Sequence, residues 1–371
     1  MKKYPDNLKH GGDIWNKSKE LGINFEEIID FSSNINPLGF PDKTNEIIRK
    51  NINLITKYPD PESNELRLSL GEILNISPKN ILVGNGSSEL FYLAVKAVSP
   101  KKVLIPAPSF IEYEKAAKSA FASCIFVNYQ KKNNEFKIDL QKIVKKLANA
   151  NLLFLCNPNN PTGSLLNKEE ILFLIKKCKE SNCFIFIDEA FIDFVDDTNN
   201  INNISIINNI NKYNNAIIFR SLTKFFAIPG IRLGYIVGNR NLINKIKSYQ
   251  PDWPVNLFAQ VVGKEVINDS EYISKTKELI KKEKQFLFNS LEKISQLKPY
   301  KSAANFILVE IKEKSLTSEI LEAKLGSEYK ILIRDCANFK NLGNNFFRIA
   351  VKNREDNKLL VNSLKKIFEV Y

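Results

Sequence analysis

The sequence predicts an α/β protein: a large unit on a mostly parallel sheet, then a smaller α+β unit. Three observations lead there. Short apolar runs recur between Ile81 and Val237, amphipathic helical stretches separate several of them, and the pattern changes character after Pro251-Asp252-Trp253-Pro254. Strands covered on both faces read as near-continuous apolar runs, and their alternation with helices implies parallel pairing.

Taken in order, the first forty residues carry the breakers Gly11-Gly12, Asn34, Asn36-Pro37 and Gly39, so they are read as loop-rich. The apolar runs follow at Ile81–Val83, Val103–Ile105, Leu152–Leu155, Phe184–Ile187, Ala216–Phe219 and Tyr235–Val237. Each is too short for a helix, and several are rich in β-branched residues or Phe. Helical periodicity fits Leu90–Val98 and Lys168–Glu180, between runs. One long charged helical segment is expected from about Phe258 to Leu297. Candidate strands then stand at Phe306–Val309, Ile331–Ile333 and Phe346–Ile349. With 371 residues and 44% hydrophobic content, the chain exceeds what one core usually holds, which agrees with two units.

The charge of +13 raises the question of a nucleic-acid partner. The lysines are scattered, as in Asn241-Leu242-Ile243-Asn244-Lys245-Ile246-Lys247, with no Arg-rich stripe and no charged tail. Coding bias explains the excess, and no nucleic-acid partner is expected. The five cysteines form no CxxC pair, so neither a disulfide framework nor a metal site is indicated; reduced thiols in a cytoplasmic protein are expected. Met1-Lys2-Lys3 is followed by no apolar segment of a secretory signal, and no apolar run approaches the ~18 residues of a membrane span.

Ligands of open α/β sheets sit at the carboxyl ends of the strands. Here those ends read Gly84-Asn85-Gly86-Ser87-Ser88-Glu89, Asn157-Pro158-Asn159-Asn160-Pro161-Thr162-Gly163, Asp188-Glu189-Ala190-Phe191 and Ser221-Leu222-Thr223-Lys224. A Gly-Ser-Ser turn opening a helix is either an ordinary cap or a phosphate cradle with free N–H groups. Asp188 ends a buried strand and needs a partner: a core cation or a cationic ring nitrogen. Lys224 is a surface lysine or, if enclosed near other cations, an amine nucleophile. Arg232 adds a second cation for a phosphate.

The ordered series Asn159-Asn160-Pro161-Thr162-Gly163, Asp188-Glu189-Ala190, Ser221-Leu222-Thr223-Lys224-Phe225 and Arg232-Leu233-Gly234-Tyr235 resembles the fold-type I pyridoxal-5′-phosphate enzymes of the aspartate aminotransferase superfamily over essentially the whole chain. The resemblance implies a seven-stranded, mostly parallel sheet and the cofactor held on Lys224 as a Schiff base. It implies that Asp188 pairs with the ring nitrogen and that Asn160 bonds the phenolic oxygen and helps position the substrate carboxylate. Gly86, Ser87, Ser88, Ser221, Thr223 and Arg232 would hold the cofactor phosphate, with Phe110 stacked on the ring. Tyr58 would reach the partner subunit's phosphate, which implies a homodimer with shared sites. Relatives usually have Tyr where this chain has Phe191, which removes a hydroxyl from the phenolic oxygen. The expected organisation is an N-terminal arm over 1–40 packing with the small unit, a large cofactor-binding unit over 41–252 and a small unit over 253–371.

Further runs narrow the resemblance. His10-Gly11-Gly12-Asp13-Ile14, Asp30-Phe31-Ser32-Ser33-Asn34-Ile35-Asn36-Pro37-Leu38-Gly39, Asp188 to Phe194 and Arg220 to Gly230 are similar to the L-threonine-O-3-phosphate decarboxylases of cobalamin biosynthesis, near relatives of the histidinol-phosphate aminotransferases. That resemblance implies substrate contacts from His10, Gly11 and Asn34, the substrate phosphate on Arg334 and the α-carboxylate on Arg348. Guanidinium forks suit such oxyanions. Two arginines fit a substrate with two anionic ends, a small phosphorylated amino acid, but their number alone does not separate decarboxylase from aminotransferase.

Overall fold

The computed structural model describes residues 11–196 and 204–370. The larger unit is built on seven strands: β1 (Ile81–Asn85), β2 (Lys102–Ala107), β3 (Ser123–Asn128), β4 (Leu152–Cys156), β5 (Phe184–Asp188), β6 (Ala216–Ser221) and β7 (Leu233–Gly238). Their spatial order is β1-β7-β6-β5-β4-β2-β3. All neighbours pair in parallel except β7, which runs antiparallel to both β1 and β6. The mostly parallel seven-stranded sheet is therefore as expected. The six apolar runs fall in six of its strands, each buried along most of its length because helices cover both faces. The seventh, β3, lies at the sheet edge and is only half-buried, so it carries no continuous apolar run.

Helix Lys168–Glu180 starts on a capping box, in which Asn167 accepts from the Glu170 N–H and the Glu170 carboxylate takes the Asn167 N–H. Helix Gly86–Val98 begins directly where β1 stops, so its first N–H groups lie at the carboxyl edge of the sheet.

The single helix expected from Phe258 to Leu297 is two, Leu257–Val266 and Ser270–Glu292. Asp269 caps the second by accepting from the Tyr272 N–H, a start signal that the continuing apolar periodicity hides. The boundary expected at 252/253 lies ahead of a helix whose Ala259, Val262 and Val266 still pack into the larger core.

The smaller unit carries an antiparallel sheet of β8 (Leu297–Pro299), β9 (Phe306–Ile311), β10 (Arg334–Asp335) and β11 (Phe346–Ala350), in the order β8-β9-β11-β10. The run read as one strand, Ile331–Ile333, divides. Ile331–Leu332 pairs in parallel with Ile29–Asp30, and the chain then enters β10. Residues 29–36 thus lie between the units. Phe31 is fully buried in the smaller core, while the Asn36 N–H donates to the Lys224 carbonyl at 3.1 Å. The loop-rich start also contains one helix, Ile14–Leu21, capped by Asp13.

Candidate active site

The strand ends lie level along one edge of the large sheet. Cys156 is in register with Asp188, Asp188 with Phe219, Gly234 with Ser221, and Leu233 with Asn85. Because β7 runs the other way, Arg232 reaches this edge from the beginning of a strand, beside residues that reach it from strand ends. Above the edge, between the two units, is a cavity of about 790 Å³.

Its floor holds Asp188 and Lys224. Asp188 is buried; one carboxylate oxygen accepts the Tyr113 hydroxyl at 2.5 Å and the other the Ala190 N–H at 3.0 Å. Burial pushes its carboxyl up to about 6, opposed by those two hydrogen bonds and by Lys224. Lys224 donates to Thr223 Oγ1 at 3.0 Å, and Thr223 Oγ1 also bonds Ser221 Oγ at 2.8 Å. Burial, then the Arg232 charge, lowers the Lys224 amine to about 8, with Asp188 opposing. A buried amine near neutrality is a usable nucleophile.

One end of the cavity is lined by Gly86, Ser87, Ser88 and Arg232. Gly86 has φ +79°, and a Cβ there would stand 2.5 Å from Arg232 Nη2, so only glycine keeps this space. Hydroxyls, helix N–H groups and a guanidinium together suit a phosphate. Phe110 and Phe191 also line the cavity; the Phe191 ring packs edge-on against Phe306 at 5.1 Å.

The smaller unit contributes Arg334 and Arg348, buried and directly opposite each other across β10 and β11. Arg348 donates to Asn160 Oδ1 at 2.5 Å and to the Ser32 carbonyl at 2.7 Å, while its Nε has no partner. Burial lowers its pKa to about 10; nearby Arg334 adds to the fall. Arg334 donates to the Asp335 carbonyl and to Asn338 Oδ1, and lies over the Phe339 ring at 5.2 Å. Like charges opposite one another on a sheet repel, and the arrangement suits bound anions. Asn34 lines the same space with a buried, unpartnered Oδ1. Gly11 lies tight on this loop: a Cβ would stand 2.3 Å from the Ser32 carbonyl oxygen.

Fifteen of the residues singled out in the sequence thus surround one cavity. Tyr58 is not among them; it is 79% exposed and stacks on Trp253 at 4.4 Å. His10 lies outside the described residues. Residues the sequence reading left without a role include Tyr113, which holds Asp188, and Asp30. The Asp30 carboxylate accepts from Ser32 N and Oγ at 2.8 and 2.6 Å and from Ser33 Oγ, shaping the loop that carries Asn34. Asp30 opens the run Asp30 to Gly39, in which the resemblance gives a role to Asn34 alone. Tyr113 gave no signal, since an aromatic on an amphipathic helix reads as core.

Among the described residues no cluster of His, Cys, Asp or Glu could hold a metal ion, and no helix is long and apolar enough to cross a membrane.

A family model described as "Aminotransferase class I and II" matches residues 26–364. A protein of Caldanaerobacter subterraneus subsp. tengcongensis named "Putative threonine-phosphate decarboxylase" is 40% identical over 100% of this chain and 95% of its own. The threonine-phosphate decarboxylase of Salmonella typhimurium is 31% identical over 97% of each. The crystal structure of the histidinol-phosphate aminotransferase from Clostridium acetobutylicum superposes with a TM-score of 0.84 at 35% identity, covering 92% of this chain and 99% of that one.

Proposed function

The chain belongs to the aminotransferase class I and II family, and on that premise we propose that it decarboxylates L-threonine O-3-phosphate to CO2 and (R)-1-amino-2-propanol O-2-phosphate, the latter being the linker used in cobalamin. The cofactor is pyridoxal 5′-phosphate. Its fit is supported by the enclosed Lys224 amine, the buried Asp188 carboxylate at the cavity floor, and the Gly86–Arg232 space that a Cβ would fill. When bound, this cofactor supplies an electron sink that lets a bond at the amino-bearing carbon break.

The residues of the chain do the rest. Lys224 Nζ would hold the cofactor and, once the substrate amine has displaced it, would be free to return a proton to the substrate carbon, with water as the other available donor. Asp188 keeps the ring nitrogen protonated. Ser87, Ser88, Ser221, Thr223 and Arg232 would bind the cofactor phosphate, Phe110 would pack on the ring, and Asn160, which accepts from Arg348, would serve the phenolic oxygen. Arg348 holds the substrate carboxylate, Arg334 the substrate phosphate, and Asn34 with the His10-Gly11 segment encloses the substrate. Tyr58, exposed here, would reach the cofactor phosphate of a second copy in a homodimer with shared sites, and the protein is read as cytoplasmic.

The observation that carries this reading is the pairing of Arg334 and Arg348 in register at the cavity. Adjacent guanidinium groups suit two anionic groups on one short molecule, as in threonine phosphate; the two carboxylates of an aminotransferase's glutamate would suit them as well, so the choice of threonine phosphate is supported by the 40% identity to a protein named a putative threonine-phosphate decarboxylase. The test is CO2 release from threonine phosphate by the cofactor-loaded protein. A second reading, histidinol-phosphate aminotransferase, is favoured by the 35% identity to such a structure. Steady conversion of histidinol phosphate with 2-oxoglutarate, and no CO2 from threonine phosphate, would establish it instead.

A further inference from the structure

Tyr113 is fully buried on helix Glu112–Ser119, just after the cavity-lining Phe110. Its ring is fixed on three sides. It stacks on Phe154 at 4.7 Å with an interplanar angle of 12°, and meets Phe91 and Phe110 edge-on at 5.3 and 5.7 Å. From this cage its hydroxyl points at Asp188 Oδ2, 2.5 Å away. Burial, together with the Asp188 charge, raises the phenol well above its usual value, so Tyr113 remains a donor throughout the neutral range.

We propose that Tyr113 is a positioning residue for Asp188: its caged hydroxyl fixes the carboxylate's orientation at the cavity floor and supports its negative charge there. The inference rests on the cofactor reading above, because Asp188 matters to the reaction only through a cationic ring nitrogen. A buried carboxylate drifts toward its neutral form unless donors hold the anion. Asp188 has two such donors, and the Ala190 N–H belongs to the loop beside it. Tyr113 is the one anchored in a separate element, so it ties Asp188 to the helix behind Phe110.

Tyr113→Phe removes the hydroxyl and keeps every ring contact. The dissociation constant of pyridoxal phosphate is read by absorbance titration in wild type, Tyr113→Phe, Asp188→Asn and the double variant. The midpoint at which the Asp188 carboxyl titrates is read in cofactor-free wild type and Tyr113→Phe by infrared spectroscopy with labelled aspartate, the band being identified by its loss in Asp188→Asn. Tyr113→Phe is expected to weaken cofactor binding about tenfold and to raise the midpoint by about one pH unit, the equivalent of one hydrogen bond to a charged group. In the Asp188→Asn background the same substitution is expected to change cofactor binding less than twofold. An equal loss in both backgrounds, or an unmoved midpoint, overturns the proposal, because a purely structural tyrosine behaves that way. Failure of the cofactor reading is a separate result: wild type itself would not take up pyridoxal phosphate. The infrared midpoint still reports on the Tyr113–Asp188 contact in that case.

Discussion

Arg220 and Arg348 are buried almost equally, 4% and 5% exposed, yet their surroundings are opposite. Arg220 donates to Glu189 at 2.9 Å and to Asp193 at 2.9 Å. Burial alone would lower its pKa, but Asp193 and Glu189 outweigh burial and raise it. Arg348 bonds only neutral oxygens, faces Arg334 across the sheet, keeps one nitrogen unpartnered and is lowered to about 10. The first arginine is satisfied by the fold. The second is held in place by the fold and left short of negative charge. Lys224, lowered to about 8, is of the second kind. Arg348 and Lys224 line one cavity, where a bound anionic ligand would supply the charge that the chain leaves out.

Substitution separates the two arginines. Arg220→Ala leaves the Glu189 and Asp193 carboxylates without their cation and is expected to lose about 3–5 kcal/mol of folding stability in urea. A folded, fully stable variant would remove the distinction. Arg348→Gln is expected to do the reverse, lowering kcat/KM for threonine phosphate about a hundredfold, about 3 kcal/mol, while the melting temperature holds or rises. If threonine phosphate is the substrate, Arg334→Gln should reduce the preference for it over threonine about tenfold or more, measured as a kcat/KM ratio. The smallest effect concerns pH. The neutral amine fraction of Lys224 grows as pH rises through about 8, so the rate of cofactor capture by the cofactor-free protein should climb about tenfold from pH 7 to pH 9. A flat profile would put Lys224 outside this class of cation.

Much of this was legible from the chain. Continuous apolar runs with polar ends located six of seven strands and the edge where Asp188, Ser221 and Lys224 stand, because burial on both faces imposes that pattern. The edge strand Ser123–Asn128 escaped because half-burial leaves no such run. Arg334 and Arg348 came from resemblance, since nothing local distinguishes an arginine opposite another arginine from one opposite a carboxylate. That difference lies in the β10–β11 register. Arg220 stood inside a quoted motif with no role for the same reason: its partners are 31 and 27 residues away. Tyr113 is 75 residues from Asp188, and only the folded chain brings them together.

The reversed strand β7 has a consequence for how this site assembles. It is the one strand of the large sheet that pairs antiparallel with the strand preceding it, β6, so residues 222–232 close a short loop between them. The parallel pairs β4–β5 and β5–β6 must wait for a crossover, and β1–β7 must close most of the unit. Loop-closure entropy rises with loop length, and local pairings form early at least cost. Lys224 and Arg232 both lie on that short loop. The cationic end of the cavity can therefore take shape as a local event, before the rest of the sheet has found its order.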